Sequence, residues 1–387
     1  MTRTLCQVCA GADLKMLYEM DSGLALTSLG KTYPASTRVW ACQACAHLQT
    51  DEMEQVDRYY AEQYNILADS EEEDQIYEVR GGRPLYRTEH QLAVLLEKVP
   101  LESGARVLDY GCAKSSTMQA LLKHRADLQV HLFDVSDAYR RFWSAFLPEQ
   151  RWSTFEPKSE WAGSFDLVTS FFALEHIVQP IQALQRIRAL VRPGGHFYCV
   201  VPNVATNIAD FIVVDHVNHF TESSLGYLLQ QAGFEIECID ADSHRGAFVI
   251  LARRPQSGLA EPSLDGGVVA RNLVELERIA SFWQGAADKI MSYVDGLPED
   301  ACCAVYGAGF YGSFIAACLG GAERISCFVD QNPFLRGRQL FGRPIVAPAE
   351  LDENVDTILV GLNPAHARQI IADIPALQGR SLRQFYL

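Results

Sequence analysis

The chain has 387 residues, 48% of them apolar and 21% charged, with a formal net charge of −15. That length exceeds what one hydrophobic core usually serves, so two or three domains are expected, and the composition is that of an ordinary soluble globular protein. The acidic balance argues against non-specific nucleic-acid binding, which needs a basic face, while leaving room for an anionic small substrate in a locally positive pocket.

Charges interrupt the apolar stretches well before 18 residues, so no transmembrane helix is expected. The opening M-T-R-T-L-C-Q-V-C lacks the apolar run of a signal peptide, and the expected location is the cytoplasm. Eleven cysteines, an odd number spread over a long chain, fit reduced thiols better than a disulfide framework.

In chain order, the first feature is a pair of C-x-x-C knuckles, Cys6/Cys9 and Cys42/Cys45, separated by 32 residues. Four soft thiolates suit a closed tetrahedral zinc site, which holds structure and leaves no open position for chemistry. Chance spacing of four buried cysteines is the alternative. A redox pair fits less well, because neither knuckle opens a helix after a strand. Short strand-like pieces and turn residues such as Gly30 and Pro34 lie between the knuckles, and residues 1–76 are expected to form a zinc module.

Residues 77–260 read as an alternating α/β domain. A helical pattern runs from about Tyr77 to Lys98, with Leu92, Leu95 and Leu96 on one side. Strands are expected at Arg106–Tyr110, Val130–Phe133, Leu167–Ser170 and His196–Val201, and helices near Thr117–His124, Ile181–Leu190 and Glu222–Gln231. This alternation implies a parallel sheet with helices on both faces. In V-L-D-Y-G-C-A-K-S-S-T a strand ending in Asp109 and Tyr110 turns at Gly111 into a helix whose N-terminal amides would face a ligand. Asp134 ends the next strand, where a carboxylate can accept from both ribose hydroxyls of an adenosyl ligand; a turn or helix-capping role is the alternative.

With F-D-L-V-T-S-F-F-A-L-E-H and L-V-R-P-G-G-H-F-Y-C-V-V-P-N, these segments resemble class I S-adenosylmethionine-dependent methyltransferases over roughly residues 85–255. The resemblance implies a Rossmann-like core and a cofactor site formed by Asp109, Gly111, Ala113 and Asp134. One departure stands out. The family's G-x-G-x-G loop reads G-C-A-K-S here, with Ala113 and Ser115 in glycine positions.

The three-part layout also resembles the zinc-containing C-methyltransferases of nucleotide-linked keto-sugars. Their E-H-x-x-x-F-S segment is matched by Asp215-His216-Val217-Asn218-His219-Phe220-Thr221, and their H-G-G-S segment by His244-Arg245-Gly246-Ala247; Tyr64 is a weaker match to a tyrosine before the core. Carbon becomes nucleophilic only after a proton alpha to a carbonyl is removed, which needs a positioned base and donors for the developing enolate. The resemblance therefore points to His216 and His176 as acid/base candidates, Asp215 as their orienting group and Tyr64 as a donor. His176 could instead line the cofactor pocket, and His216 and His219 with Asp215 could bind a second metal. Arg245 suits a phosphate contact or an ordinary surface position.

Residues 261–387 open with a long helix, Val269–Val294, before a second strand–helix alternation at Cys302–Tyr306, Ile325–Val329 and Thr357–Gly361. Gly307, Gly309 and Gly312 have G-x-G-x-x-G spacing, and Asp330 follows eighteen residues after Gly312, the pattern of a dinucleotide site. The remaining length suits one mononucleotide half only, and the resemblance implies a role for Gly307, Gly309, Asp330 and Arg245 in holding a nucleotide-linked sugar. Three functions are in competition: C-methylation of such a sugar, O- or N-methylation of another metabolite, and binding without catalysis through an altered cofactor loop.

Overall fold

The computed structural model describes residues 4–21, 25–54, 56, 59–60, 64, 70–258 and 261–387. The chain forms two compact units, each discontinuous in sequence. One comprises Met1–Lys15, Trp40–Asn207 and His216–Glu275, and the other Met16–Val39, Ile208–Asp215 and Leu276–Leu387.

The first unit is built on a seven-stranded sheet: β1 (Arg106–Tyr110), β2 (Gln129–Asp134), β3 (Trp152–Thr154), β4 (Phe165–Phe171), β5 (Val191–Pro202), β6 (Glu235–Asp240) and β7 (Ala247–Arg253). Their spatial order is β3-β2-β1-β4-β5-β7-β6. Pairs among β1 to β5 are parallel, and β7 is antiparallel to both its neighbours. Successive strand residues point to opposite faces and both faces are covered. Val107, Val130 and Leu167 pack with Leu92, Leu95 and Met118 on one side, whereas Leu108, Phe133 and Val168 pack with Leu184, Ile187 and Leu225 on the other. The helices involved are α1 (Arg87–Lys98), α2 (Ser116–His124), α3 (Pro180–Leu190) and α4 (Glu222–Gln231). Thr221 caps α4 through a reciprocal box with Ser224.

Two local expectations change. The helix expected from Tyr77 begins only at Arg87, because Ile76–Arg80 and Arg83–Tyr86 form an antiparallel hairpin. Gly81 and Gly82, with φ of +55° and +79°, supply the left-handed turn that such a hairpin needs. The R-P-G-G stretch lies inside β5 as an irregularity: register moves from Val191 opposite Phe165 to His196 opposite Leu167. A Cβ on Gly195 would lie 2.9 Å from the Asp166 carbonyl oxygen.

The second unit contains the later part of α5 (Gly266–Asp295) and a six-stranded sheet of β8 (Cys303–Tyr306), β9 (Ile325–Val329), β10 (Gln339–Leu340), β11 (Arg343–Val346), β12 (Thr357–Val360) and β13 (Arg383–Tyr386), ordered β10-β11-β9-β8-β12-β13. Helix α6 (Phe310–Cys318) follows the glycine loop. Among the described residues no helix is long and apolar enough to cross a membrane.

Candidate active site

Gly111 follows β1 with φ +71°, and a Cβ there would come 2.8 Å from the Cβ of Ala173. Ala113 and Ser115 take φ of +43° and +58°, so all three positions of the glycine pattern are left-handed although two carry side chains. A left-handed non-glycine residue costs about 1–2 kcal/mol, and local bonds offset it. Ala113 N donates to Asp134 Oδ2 (2.8 Å), the Trp143 indole donates to Ala113 O (2.7 Å), and Ser115 Oγ donates to Asp109 Oδ2 (2.6 Å). The loop therefore keeps the shape that glycines would give it.

Asp109 is buried; burial pushes its carboxyl up to about 6 against the lowering effect of hydrogen bonds from Ser115 and Thr169. Asp134, at the end of β2, also accepts from Ser136 N (3.0 Å), and burial raises its pKa. Each carboxylate oxygen retains a lone pair beyond these bonds. Val135 beside it is exposed, an apolar surface next to an acidic strand end. Lys114 turns away from the loop to donate to the carbonyls of Ser70, Glu71 and Glu73 (3.2, 3.1 and 2.5 Å).

Adjacent to this loop, the turn after β4 carries Leu174–His176. Tyr60 Oη lies 2.9 Å from His176 Nδ1 and Tyr64 Oη 3.3 Å from Nε2. The His176 and His216 rings meet at right angles with centroids 4.6 Å apart. One ligand-capable atom each of Glu175, His176 and His216 falls within 4.8 Å of the others. Arg87 stacks on Phe172 (3.8 Å) and donates to Gln75 Oε1; burial lowers its pKa, while Glu175 and then Tyr64 act in the opposite sense. Gly111, His176, His216 and Tyr64 thus belong to one neighbourhood at the carboxyl ends of β1 and β4, where open α/β sheets bind ligands.

The other expected residues have different surroundings. The Asp215 carboxylate is buried and accepts from Ser28 N (2.6 Å) and Ser28 Oγ (2.7 Å). Arg245 is exposed; its guanidinium approaches Glu78 at 3.6 Å and its backbone N donates to the Tyr77 hydroxyl. The neighbouring His244 is buried, and burial holds its pKa down at about 4.

The four cysteines converge. Cys6 and Cys45 sulfurs are 3.6 Å apart, Cys9 and Cys42 sulfurs 3.4 Å, and all four lie within 4.8 Å. The knuckles share one wiring: Ala10 N donates to Cys6 O and Cys6 N to Gly11 O, just as Ala46 N donates to Cys42 O and Cys42 N to His47 O. Ala10 and Ala46 both adopt left-handed conformations, with φ of +56° and +57°.

In the second unit, Gly307 (φ +99°), Gly312 and Gly361 approach backbone to backbone, leaving no room for a Cβ. Ala308 N donates to Asp330 Oδ2 and Asn332 N to Oδ1, both 2.8 Å. This repeats the Ala113–Asp134–Ser136 arrangement of the first unit. A Cβ on Gly309 would meet nothing within 4 Å.

Tyr60 and Asn218 were not singled out by sequence. The spacing of Tyr60 and Tyr64 carried a usable signal, since groups four residues apart can share one face; Tyr64 N donates to Tyr59 O, and both hydroxyls lie against His176.

Residues 83–239 match the family Methyltransf_23, described as a methyltransferase domain. The ubiquinone biosynthesis O-methyltransferase of Vibrio parahaemolyticus is 28% identical over 113 residues, which is 28% of this chain and 48% of that protein. Its namesake from Xanthomonas campestris is 31% identical over 100 residues, 24% of this chain and 42% of the relative. The chain spans about half the length of the curated relatives it matches. An S-adenosylmethionine-dependent methyltransferase structure from Mesorhizobium loti is 18% identical with a TM-score of 0.35, and the match covers 43% of this chain and 98% of that one. The chain contains a class I S-adenosylmethionine-dependent methyltransferase domain.

Proposed function

We propose that this protein is an S-adenosylmethionine-dependent methyltransferase that methylates a carbon alpha to a carbonyl in a nucleotide-linked keto-sugar. The observation that carries this reading is the perpendicular His176–His216 pair, backed by two tyrosine hydroxyls, beside the Gly111 loop. The Gly111–Ser115 loop and Asp134 fit an adenosyl ligand by their left-handed turn, strand-end carboxylate and exposed Val135. When bound, the cofactor supplies an electrophilic methyl group.

The chain's own residues prepare the acceptor. His216 takes the alpha proton, with His176 next to it able to relay or share charge. A neutral imidazole donates from one nitrogen and accepts at the other. Of the two hydroxyls on His176, therefore, one donates to the ring and the other accepts from it. The accepting tyrosine can direct its own proton to a third oxygen, such as that of a developing enolate. Asp215, the candidate orienting group, also anchors the Ser28 loop through its carboxylate. Arg245 is the proposed contact for a phosphate of the nucleotide part, and the Gly307–Gly309–Asp330 loop is, within its own unit, a proposed nucleotide-binding element.

Structural zinc belongs to the same proposal. Tetrahedral bonds of about 2.3 Å place sulfurs about 3.8 Å apart, close to the 3.6 Å between Cys6 and Cys45 and the 3.4 Å between Cys9 and Cys42. The all-thiolate donor set is that of a closed site. A cytoplasmic location fits eleven free cysteines.

O-methylation is the second reading, favoured by the names of the ubiquinone-pathway relatives. A hydroxyl acceptor would need the same base but no enolate donor. Incubating candidate keto-sugars with enzyme in deuterium oxide, without methyl donor, separates the two. Deuterium at the alpha carbon supports C-methylation; absence of exchange, together with methylation of a hydroxyl once S-adenosylmethionine is added, overturns it.

A further inference from the structure

The four-cysteine module and the histidine pair are joined by hydrogen bonds that neither reading uses. Immediately after the second knuckle, Leu48–Thr50 pairs antiparallel with Asn218–His219, Asn218 opposite Gln49 and His219 opposite Leu48. Thr50 Oγ1 donates to the His216 carbonyl at 2.8 Å. Beyond this strand, Thr221 Oγ1 donates to Ala46 O and Ser223 Oγ to Cys45 O. The segment carrying His216 is therefore held on both sides by residues of the second knuckle.

Asn218 extends the same grip to His176. Its side chain is fully buried. The amide nitrogen donates to Ile177 O at 2.7 Å and, more weakly, to Leu174 O at 3.4 Å, the two carbonyls that flank Glu175 and His176. Its oxygen lies 3.2 Å from Nε2 of buried His47, two residues after Cys45. An amide has two donors on one end and an acceptor on the other, so one side chain satisfies both partners at once. Aspartate could not donate, and leucine could do neither.

We propose that Asn218 is a positioning residue that sets His176 against His216, and that the second knuckle, through His47 and Thr50, acts as the reference for both histidines. The module then aligns the catalytic pair as well as stabilising its own fold. Both histidines would respond to a change at Asn218. This inference rests on the acid/base reading only for its consequence in catalysis; the positioning itself is separate.

The test is a set of ring nitrogen spectra from histidine-labelled protein, as purified, for wild type, Asn218→Ala, His47→Leu and His47→Gln. Metal content and melting temperature are measured on the same samples. Gln is the conservative variant, since its amide can donate to Asn218 as His47 does. Asn218→Ala and His47→Leu should shift the His176 and His216 signals with metal content unchanged, and His47→Gln should restore them. Methyl transfer should fall by about 100-fold in Asn218→Ala, the scale of an angstrom-sized misplacement, with cofactor affinity kept. Unmoved histidine signals in a folded Asn218→Ala variant would overturn the proposal. If that variant does not fold, equal spectra for His47→Leu and wild type overturn it instead. Shifted signals with full turnover would uphold the positioning and reject the acid/base reading.

Discussion

His176 and His216 are 40 residues apart in the chain and meet edge to face with ring centroids 4.6 Å apart. The two come from separate supports: the turn after β4 holds one, and the strand paired with Leu48–Thr50 holds the other.

From this follows the first expectation. His216→Asn keeps similar size and hydrogen bonding but loses the titrating group, and methyl transfer should fall by roughly 100-fold or more. Steady-state kinetics should place the loss in kcat, with cofactor binding intact. Full turnover in this variant would make His216 structural.

Zinc is tested directly by elemental analysis. Purified protein should hold one zinc per chain, and Cys42→Ser should release it together with a cooperative loss of the knuckles, because structural zinc contributes folding free energy. Protein that is fully folded and metal-free would contradict the site.

Loop strain can be relieved. Ala113→Gly places a residue without a left-handed penalty at φ +43°, which should stabilise the fold by up to about 1 kcal/mol after the extra entropy of unfolded glycine is counted. Ser115→Gly should gain less, because it also removes the hydrogen bond to buried Asp109. Urea denaturation of both variants measures the difference.

Acid sensitivity has an assignable source. Burial above all, with Arg106, Arg151 and Lys158 adding repulsion, lowers His131 from 6.5 to about 4, and burial does the same to His244. Between those values the unfolded chain binds more protons, so stability from these residues is complete above about pH 6.5 and lost as pH falls. Asp109, raised to about 6, works in the opposite direction over an overlapping range. His131→Phe should therefore flatten the rise of stability with pH between 4.5 and 6.5 by up to about 1.4 kcal/mol per pH unit. An unchanged slope in pH-dependent denaturation would reject this assignment.

Much of the first unit was legible because its pattern is local. Arg106–Tyr110 and Glu222–Gln231 appear with the bounds expected from apolar periodicity. The Tyr77 helix was misread because Gly81-Gly82 punctuation was outweighed by the helical pattern that follows it. Partners distant in sequence were a different matter. Asp215 bonds Ser28 across 187 positions, and Tyr60 reaches His176 across 116. No periodicity encodes such pairs. The left-handed Ala113 and Ser115 were also hidden, since residue type alone argued for a changed loop where hydrogen bonds preserve the turn.

The most direct test of the account is calorimetric titration of the protein with S-adenosylmethionine, run on wild type and Asp134→Ala. Wild type should bind one equivalent. The variant should bind at least about tenfold more weakly, because a hydrogen bond to a charged group contributes about 1.5–3 kcal/mol. Absence of binding by folded wild-type protein would contradict the methyltransferase reading, and equal affinity in the variant would remove Asp134 from the site.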